Sequence, residues 1–389
     1  MLAGLIFATE DAADRPDALA ATLPFGGTTL IEFQARQLIA AGAAQILIAV
    51  ARVTPELLGA ANRIGKRGVA VDVVRSAAEA AARVHPLARV VVLADGLVTT
   101  DAVLAPLTGE GDELLLVTAG DGLERIDATH SWAGVARVGA ERLNDTAALP
   151  RDYDFLSTLL RVTAQHGATK LLLPPGAARD GHGIEHDSRG LAKRGRAAFA
   201  ALAGNRTAWI DRWLFAPLAR FALPALVGRG VSPTALLAGG GVVAAGGLWA
   251  VRQGWSASGL AGVTAAAFAL ALAGMLAGLR GDDGDAALAE RGTWVVAGGA
   301  LVLAGFGEDA MRGTATGSAL AVAAVVAALL VERLRAAVTP QRWWASPAAY
   351  PLLLIPFAAI GQTLTGLAAL ALYGAATSLG GIEQIRRKA

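Results

Sequence analysis

The run RVVVLA, Arg89–Ala94, decides how the first half of the chain folds. Five consecutive apolar residues from Val90, three of them β-branched, suit a strand buried on both faces, as parallel strands between two helical layers are. Runs of the same kind recur at Gly4–Ala8, Gln45–Val50, Val69–Val74, Glu113–Thr118 and Trp132–Val138. Between them, Thr29–Ala41 and Pro55–Gly65 place apolar residues three and four apart, the spacing of amphipathic helices. This alternation predicts an α/β, Rossmann-like, doubly wound sheet in residues 1–205, with ligands beyond the carboxyl ends of its strands.

The rest of the chain has a different chemistry. The 389 residues are 54% hydrophobic and 17% charged with mean hydropathy +0.49, too apolar for a soluble protein of this size. Residues 208–389 hold only 22 of the 66 charged side chains, and none of the five histidines. Cysteine is absent, which excludes disulfides, thiolate metal sites and a cysteine nucleophile. The net charge of +2 is small and its excess falls in the apolar half, so nucleic acid is not an expected partner. The amino terminus MLAGLIFATEDAADR has no basic lead before its short apolar stretch and acids follow at once. No signal peptide is expected, and the soluble half should stay in the cytoplasm.

In residues 206–389 the segment AWIDRWLFAPLARFALPALVGRG, starting at Ala208, mixes arginines and tryptophans with apolar residues and reads as an interfacial helix. Six crossings follow: Pro233–Val251, Ser256–Leu279, Gly292–Gly307, Gly313–Val331, Trp343–Gly361 and Gln362–Gly381. An all-α, six-span domain with both termini in the cytoplasm puts Arg280, Arg291, Arg333, Arg335, Arg342, Arg386, Arg387 and Lys388 inside, and only Arg252 and Arg312 outside. The expected location is therefore the inner (cytoplasmic) membrane. Trp343, Trp344 and Tyr350 read as interface anchors of the fifth span. The spans lack the buried charge that a transporter's coupling site needs.

Several stretches of the soluble half resemble nucleotidyltransferases that activate sugar or polyol phosphates. LPFGGTTLIEFQARQLIAAGAAQILIAV, Leu23–Val50, is similar to that family's Gly-Gly helix and following strand, through Gly26 and Gly27. VVLADGLV, Val91–Val98, resembles its strand ending in a metal-binding aspartate, here Asp95, and SWAGVARVGAERL, Ser131–Leu143, its later strand and turn. EHDSRGLAKRGRAAFAAL, Glu185–Leu202, resembles the segment with the second metal aspartate, here Asp187 beside Glu185. The family's glycine-rich phosphate loop is missing: ATEDAADRPDALAA, Ala8–Ala21, has no glycine and four acids, and Arg15 is the one remnant of the loop's arginine. Asp95 thus reads either as a nucleotide or metal contact or as a capping strand-end aspartate. His182-x-x-x-His186, within DGHGIEHD, Asp180–Asp187, has ligand chemistry but sits in a glycine-bearing loop and is read as loop.

An interfacial helix followed by six spans, with Val-Ser-Pro at Val231–Pro233, resembles the CDP-alcohol phosphotransferases. The fusion resembles the bifunctional inositol-1-phosphate cytidylyltransferase and phosphoinositol transferase family. That resemblance implies four aspartates, across the second and third spans, holding divalent metal against a pyrophosphate. The corresponding stretch, Leu270–Gly278, keeps Gly274 and Ala277, while the aspartate positions become Leu270, Ala273, Arg291 and Val295. The nearby loop acids Asp282, Asp283, Asp285 and Glu290 either rebuild a metal site or form a solvated loop capping the next helix. Arg291 either meets an anionic headgroup or marks the end of the third span.

The expectation is a non-catalytic membrane protein of CDP-alcohol phosphotransferase type that binds a nucleotide or CDP-alcohol at the lipid bilayer, or supports an active partner enzyme or a second copy. No cofactor is expected. The alternative is an active transferase moving a phospho-alcohol group from a CDP-alcohol to an acceptor hydroxyl with Mg or Mn.

Overall fold

The computed structural model describes residues 1–119, 124–150, 153–204, 209–334, 338, 341 and 343–388. They form two compact units, Met1–Ala201 and Leu202–Ala389. Arg335 and Arg342, on which part of the arginine count rests, lie outside the described residues, as does the start of the interfacial helix at Ala208.

The amino-terminal unit is built on seven strands: β1 Leu2–Ala8, β2 Ala43–Val50, β3 Ala70–Val74, β4 Arg89–Leu93, β5 Leu114–Thr118, β6 Ser131–Gly139 and β7 Thr169–Leu172. Their order across the sheet is β7-β5-β6-β4-β1-β2-β3. β6 runs antiparallel to both β4 and β5, while every other pair is parallel. The expected α/β sheet is present, with one reversed strand. All seven residues of β1 are buried, as a central strand covered on both faces requires.

Helices connect the strands: α1 Leu30–Ala40, α2 Pro55–Gly65, α3 Ala77–Arg83, α4 Asp101–Thr108, α5 Ala140–Ala147, α6 Phe155–Gln165 and α7 Ser188–Gly204. A capping box starts α1, with Glu32 bound to both the hydroxyl and the amide of Thr29. Gly4 lets α1 come down on β1, since a methyl group there would stand 2.5 Å from Leu38.

The second unit begins with a π-helical turn, Asp211–Phe215, that runs into α8, Ala216–Gly228. Pro217 has no N–H to donate into the turn before it, and the π-helical turn Asp211–Phe215 lies directly ahead of it in the same continuous helix. Then come α9 Pro233–Arg252, α10 Ser256–Arg280, α11 Asp283–Arg312, α12 Thr316–Leu334, α13 Ala349–Ala359 and α14 Thr363–Lys388. Five of these are long and apolar enough to cross a membrane; α13 is not. The expected fifth crossing is therefore corrected. Its 11 helical residues reach about 16 Å, roughly half of a bilayer's hydrocarbon core.

The physical reason is proline: Pro347 precedes the helix, Pro351 lies near its start and Pro356 inside it. Before it, Trp344, Ala345 and Ser346 are buried without helical structure. Trp344 and Tyr350 are packed inside, so of the three proposed anchors only Trp343 is open to its surroundings. The third span, by contrast, runs to 30 residues.

Candidate functional site

In an open α/β sheet the crevice for a ligand forms where successive strands change direction across the sheet. Here that point lies between β1 and β4, because β2 and β3 were added on one side of β1 and β4 is added on the other. Three segments meet there: Ala8–Arg15 after β1, Ala94–Val98 after β4, and His182–Gly190 leading into α7.

α1 holds the second segment in place. Gln34 Nε2 donates to the carbonyls of Ala94 (3.1 Å) and Leu97 (2.9 Å), and Gln37 Nε2 to that of Thr99 (3.1 Å) and to Asp101 Oδ1 (3.0 Å). The third segment is stitched to it by antiparallel pairing of Leu97–Val98 with Gly183–Ile184, and by the Glu185 amide donating to Gly96 O at 3.0 Å. Gly96 has φ +70°, and a methyl group on it would strike Glu185 O and the His186 ring at 2.6 Å. That close approach requires glycine.

Asp95 is buried, and its Oδ2 accepts the amides of Thr9 and Glu10, each at 2.7 Å. Its Oδ1 and the nearby His186 Nε2 are buried with no hydrogen-bond partner. Burial pushes the Asp95 carboxyl up to about 6, against the lowering effects of the Glu10 amide and His186. The Thr9 and Glu10 amides at the head of the β1 loop are therefore taken by an internal carboxylate. Glu10, Asp11 and Asp14 add negative charge along the same loop.

The other residues singled out in the sequence have local partners. Glu185 pairs with Arg194 at 2.8 Å, and Asp187 Oδ1 accepts the amides of Arg189 (2.9 Å) and Gly190 (2.8 Å) in the first turn of α7. Arg15 is exposed at the start of the short strand Arg15–Leu19. Gly26 and Gly27, with φ +64° and +87°, make the turn between Pro24–Phe25 and Thr28–Thr29, and a Cβ added at Gly26 would stand 3.4 Å from Phe199 of α7. His182 is buried, with Nδ1 3.0 Å from Thr99 Oγ1 and Nε2 3.0 Å from Ala133 O; burial lowers it to about 4. Both its nitrogens are engaged. Among the described residues no three His, Asp or Glu side chains could hold a metal ion.

A cavity of about 260 Å³ opens beside this loop, past the ends of β1, β2 and β3. Thr9, Ala51, Arg75, Ser76, Tyr153 and Asp154 line it. No motif in the sequence marked it, because its walls come from four separate connections.

In the second unit, Gly274 on α10 faces Ala289 of α11, where a methyl group would stand 3.2 Å from the alanine's, and Ala277 is fully buried. Leu270 and Ala273 are buried in a cluster with Leu237 and Ala289. Leu270 fills the space beside two glycines, Gly240 of α9 and Gly292 of α11. Arg291 and Val295 are exposed, so the α11 surface against Leu270 is Ala289 and Gly292 instead. Neither supplies a carboxylate.

Asp282 occupies the N-cap position of α11 without a side-chain capping bond; Asp285 Oδ2 accepts from Thr234 Oγ1 of α9 at 3.1 Å; Glu290 is exposed. Asp283 begins α11, and its side chain lies outside the described structure. The residues at the expected metal site do not fit a hard cation, which requires oxygen ligands.

No family model matches the chain, and no curated protein does. Solved structures do. A Bacillus anthracis protein described as a glucose-1-phosphate thymidylyltransferase, in complex with a sucrose, aligns at 12% identity with TM-score 0.38, covering 45% of this chain and 87% of that one. The inositol-1-phosphate CTP transferase of T. maritima aligns at 12% identity with TM-score 0.35, covering 48% of this chain and 85% of that one.

Proposed function

We propose that this chain is a membrane protein of the CDP-alcohol phosphotransferase type that binds a nucleotide or CDP-alcohol and does not transfer its phospho-alcohol group. The observation that carries the reading is the burial of Leu270 and Ala273 among Leu237 and Ala289, where pyrophosphate chemistry would need carboxylates and metal. The amino-terminal unit supports it: the Thr9 and Glu10 amides are bound by Asp95, and the cavity by Arg75 and Ser76 remains for a small polar ligand. No metal-dependent step follows from these residues.

Calorimetric titration of the full-length protein in detergent with CTP and with a CDP-alcohol tests it. Saturable binding of either without release of CMP is expected. No binding of either, or steady CMP release, contradicts it.

A further inference from the structure

Helix α7, SRGLAKRGRAAFAALAG, carries four cations and no acid. One cation is neutralised within the amino-terminal unit: Arg194 pairs with Glu185 at 2.8 Å and donates to the carbonyl of His182 at 2.9 Å. The other three, Arg189, Lys193 and Arg196, are exposed and have no acidic partner among the described residues. At about 100° per residue they fall within about 60° of one another around the helix, and exposed Ala192 shares their face.

The opposite face fixes where this stripe points. Leu191, Gly195, Ala198 and Phe199 are buried, and the Phe199 ring lies 5.6 Å from that of Phe25. Gly181 comes so close to α7 that a methyl group on it would stand 2.7 Å from the Ala198 nitrogen. The three cations are thus held outward along about two helical turns. Helix stability does not account for them. They sit in the amino-terminal half, where the helix dipole opposes positive charge, and like charges three and four residues apart repel. The nearby acids Asp14 and Asp187 accept the amides of Ser188, Arg189 and Gly190 instead.

We propose that this face of α7 docks on the anionic headgroups of a bilayer surface. Six residues beyond Arg196, at Leu202, the chain enters the unit with five helices long and apolar enough to cross a membrane. A lipid surface is thereby tethered to the stripe at high local concentration, where three modest attractions suffice. The face offers no aromatic ring for stacking on a base, so its chemistry matches a field of lipid phosphates rather than a single-stranded nucleic acid. The inference is independent of whether the protein binds or turns over a CDP-alcohol.

The chain has no cysteine, so Ala192→Cys places a single fluorescent label on the stripe of the full-length protein. The labelled protein is compared in nanodiscs of phosphatidylcholine alone and of phosphatidylcholine with phosphatidylglycerol. Acrylamide reports access from water, and a lipid with a nitroxide headgroup reports contact with the bilayer surface. With phosphatidylglycerol the label should be shielded from acrylamide and quenched by the nitroxide; with phosphatidylcholine alone it should not. Changing Arg189, Lys193 and Arg196 together to glutamine should lower the docked-to-free ratio on the order of a hundredfold, about fivefold for each cation. Raising salt from about 0.1 M to about 1 M should release the wild-type stripe, a readout that does not depend on any variant folding. Equal quenching in the two lipids, or docking unchanged by the triple substitution or by salt, would overturn the proposal. So would an added single-stranded oligonucleotide that shields the label in phosphatidylcholine as fully as phosphatidylglycerol does.

Discussion

Asp95 Oδ2 lies 2.7 Å from the amide nitrogen of Glu10, bridging the ends of two neighbouring parallel strands across the switch point of the sheet. A carboxylate of the protein thereby satisfies the two backbone amides at the head of this loop. The cost of that arrangement is a buried charge.

Asp95 has a folded-state value of about 6, above the ordinary 3.8, so protonation favours the fold. The penalty is present in full above pH 6 and is relieved as pH falls from 6 toward 4; two pH units correspond to at most about 3 kcal/mol. Asp95→Asn keeps an acceptor for the Thr9 and Glu10 amides without the charge. It should stabilise the amino-terminal unit at pH 7.5 by about 1 kcal/mol, an advantage that vanishes near pH 4.5. Hydrogen exchange of β1 and β4 amides across this range checks the trend.

His182 titrates in the opposite sense. Its folded-state value of about 4 lies below the ordinary 6.5, so its stabilising contribution is complete above pH 6.5 and is lost as pH falls through that window. His182→Gln should cost on the order of 2 kcal/mol at pH 7.5, through the Thr99 and Ala133 contacts. It should also show a smaller further loss between pH 6.5 and 4 than the wild type. An equal loss would assign the acid sensitivity elsewhere.

Gly26 has φ +64°, and a Cβ added there would stand 3.4 Å from the Phe199 ring. Gly26→Ala should lower stability by about 1–2 kcal/mol, because a Cβ disfavours this backbone conformation. Ala61→Gly, at a half-buried position in α2, should cost less than about 1 kcal/mol and calibrates the denaturation measurement.

How far these features could be read in advance varies with their physics. Six of the seven sheet strands are apolar runs and were legible; β7, reading TKLL, is mostly exposed at the sheet's edge and carries no such run. Reversal of β6 leaves no mark in its composition, because a strand buried on both faces is apolar in either direction. The fifth crossing misread because hydropathy counts Pro347, Pro351 and Pro356 as mild residues although they limit the helix. Asp95 was visible as a strand-end aspartate. Its partners Thr9 and Glu10 were not, since a bond between loops more than 80 residues apart has no local signature.

In the second unit, Leu270→Asp places a carboxylate against Gly240, Gly292 and Ala289, in a cluster of buried apolar side chains. A destabilisation of roughly 3 kcal/mol is expected, seen as a lower melting temperature in detergent and poorer membrane yield. Leu270→Met, which conserves volume, should cost under about 1.5 kcal/mol. Similar behaviour of the two variants would mean that the site is wetter than its packing indicates.

The most direct measurement is transfer of a phospho-alcohol group from a CDP-alcohol to a lipid or polyol acceptor, with added magnesium or manganese. It compares the wild type with a variant in which Asp282, Asp283, Asp285 and Glu290 are all alanine. The expected result is no turnover above background in either protein, with binding of the CDP-alcohol retained in both. Metal-dependent turnover in the wild type that disappears in the variant would contradict it, showing that the loop acids rebuild the site that Leu270 and Ala273 cannot form.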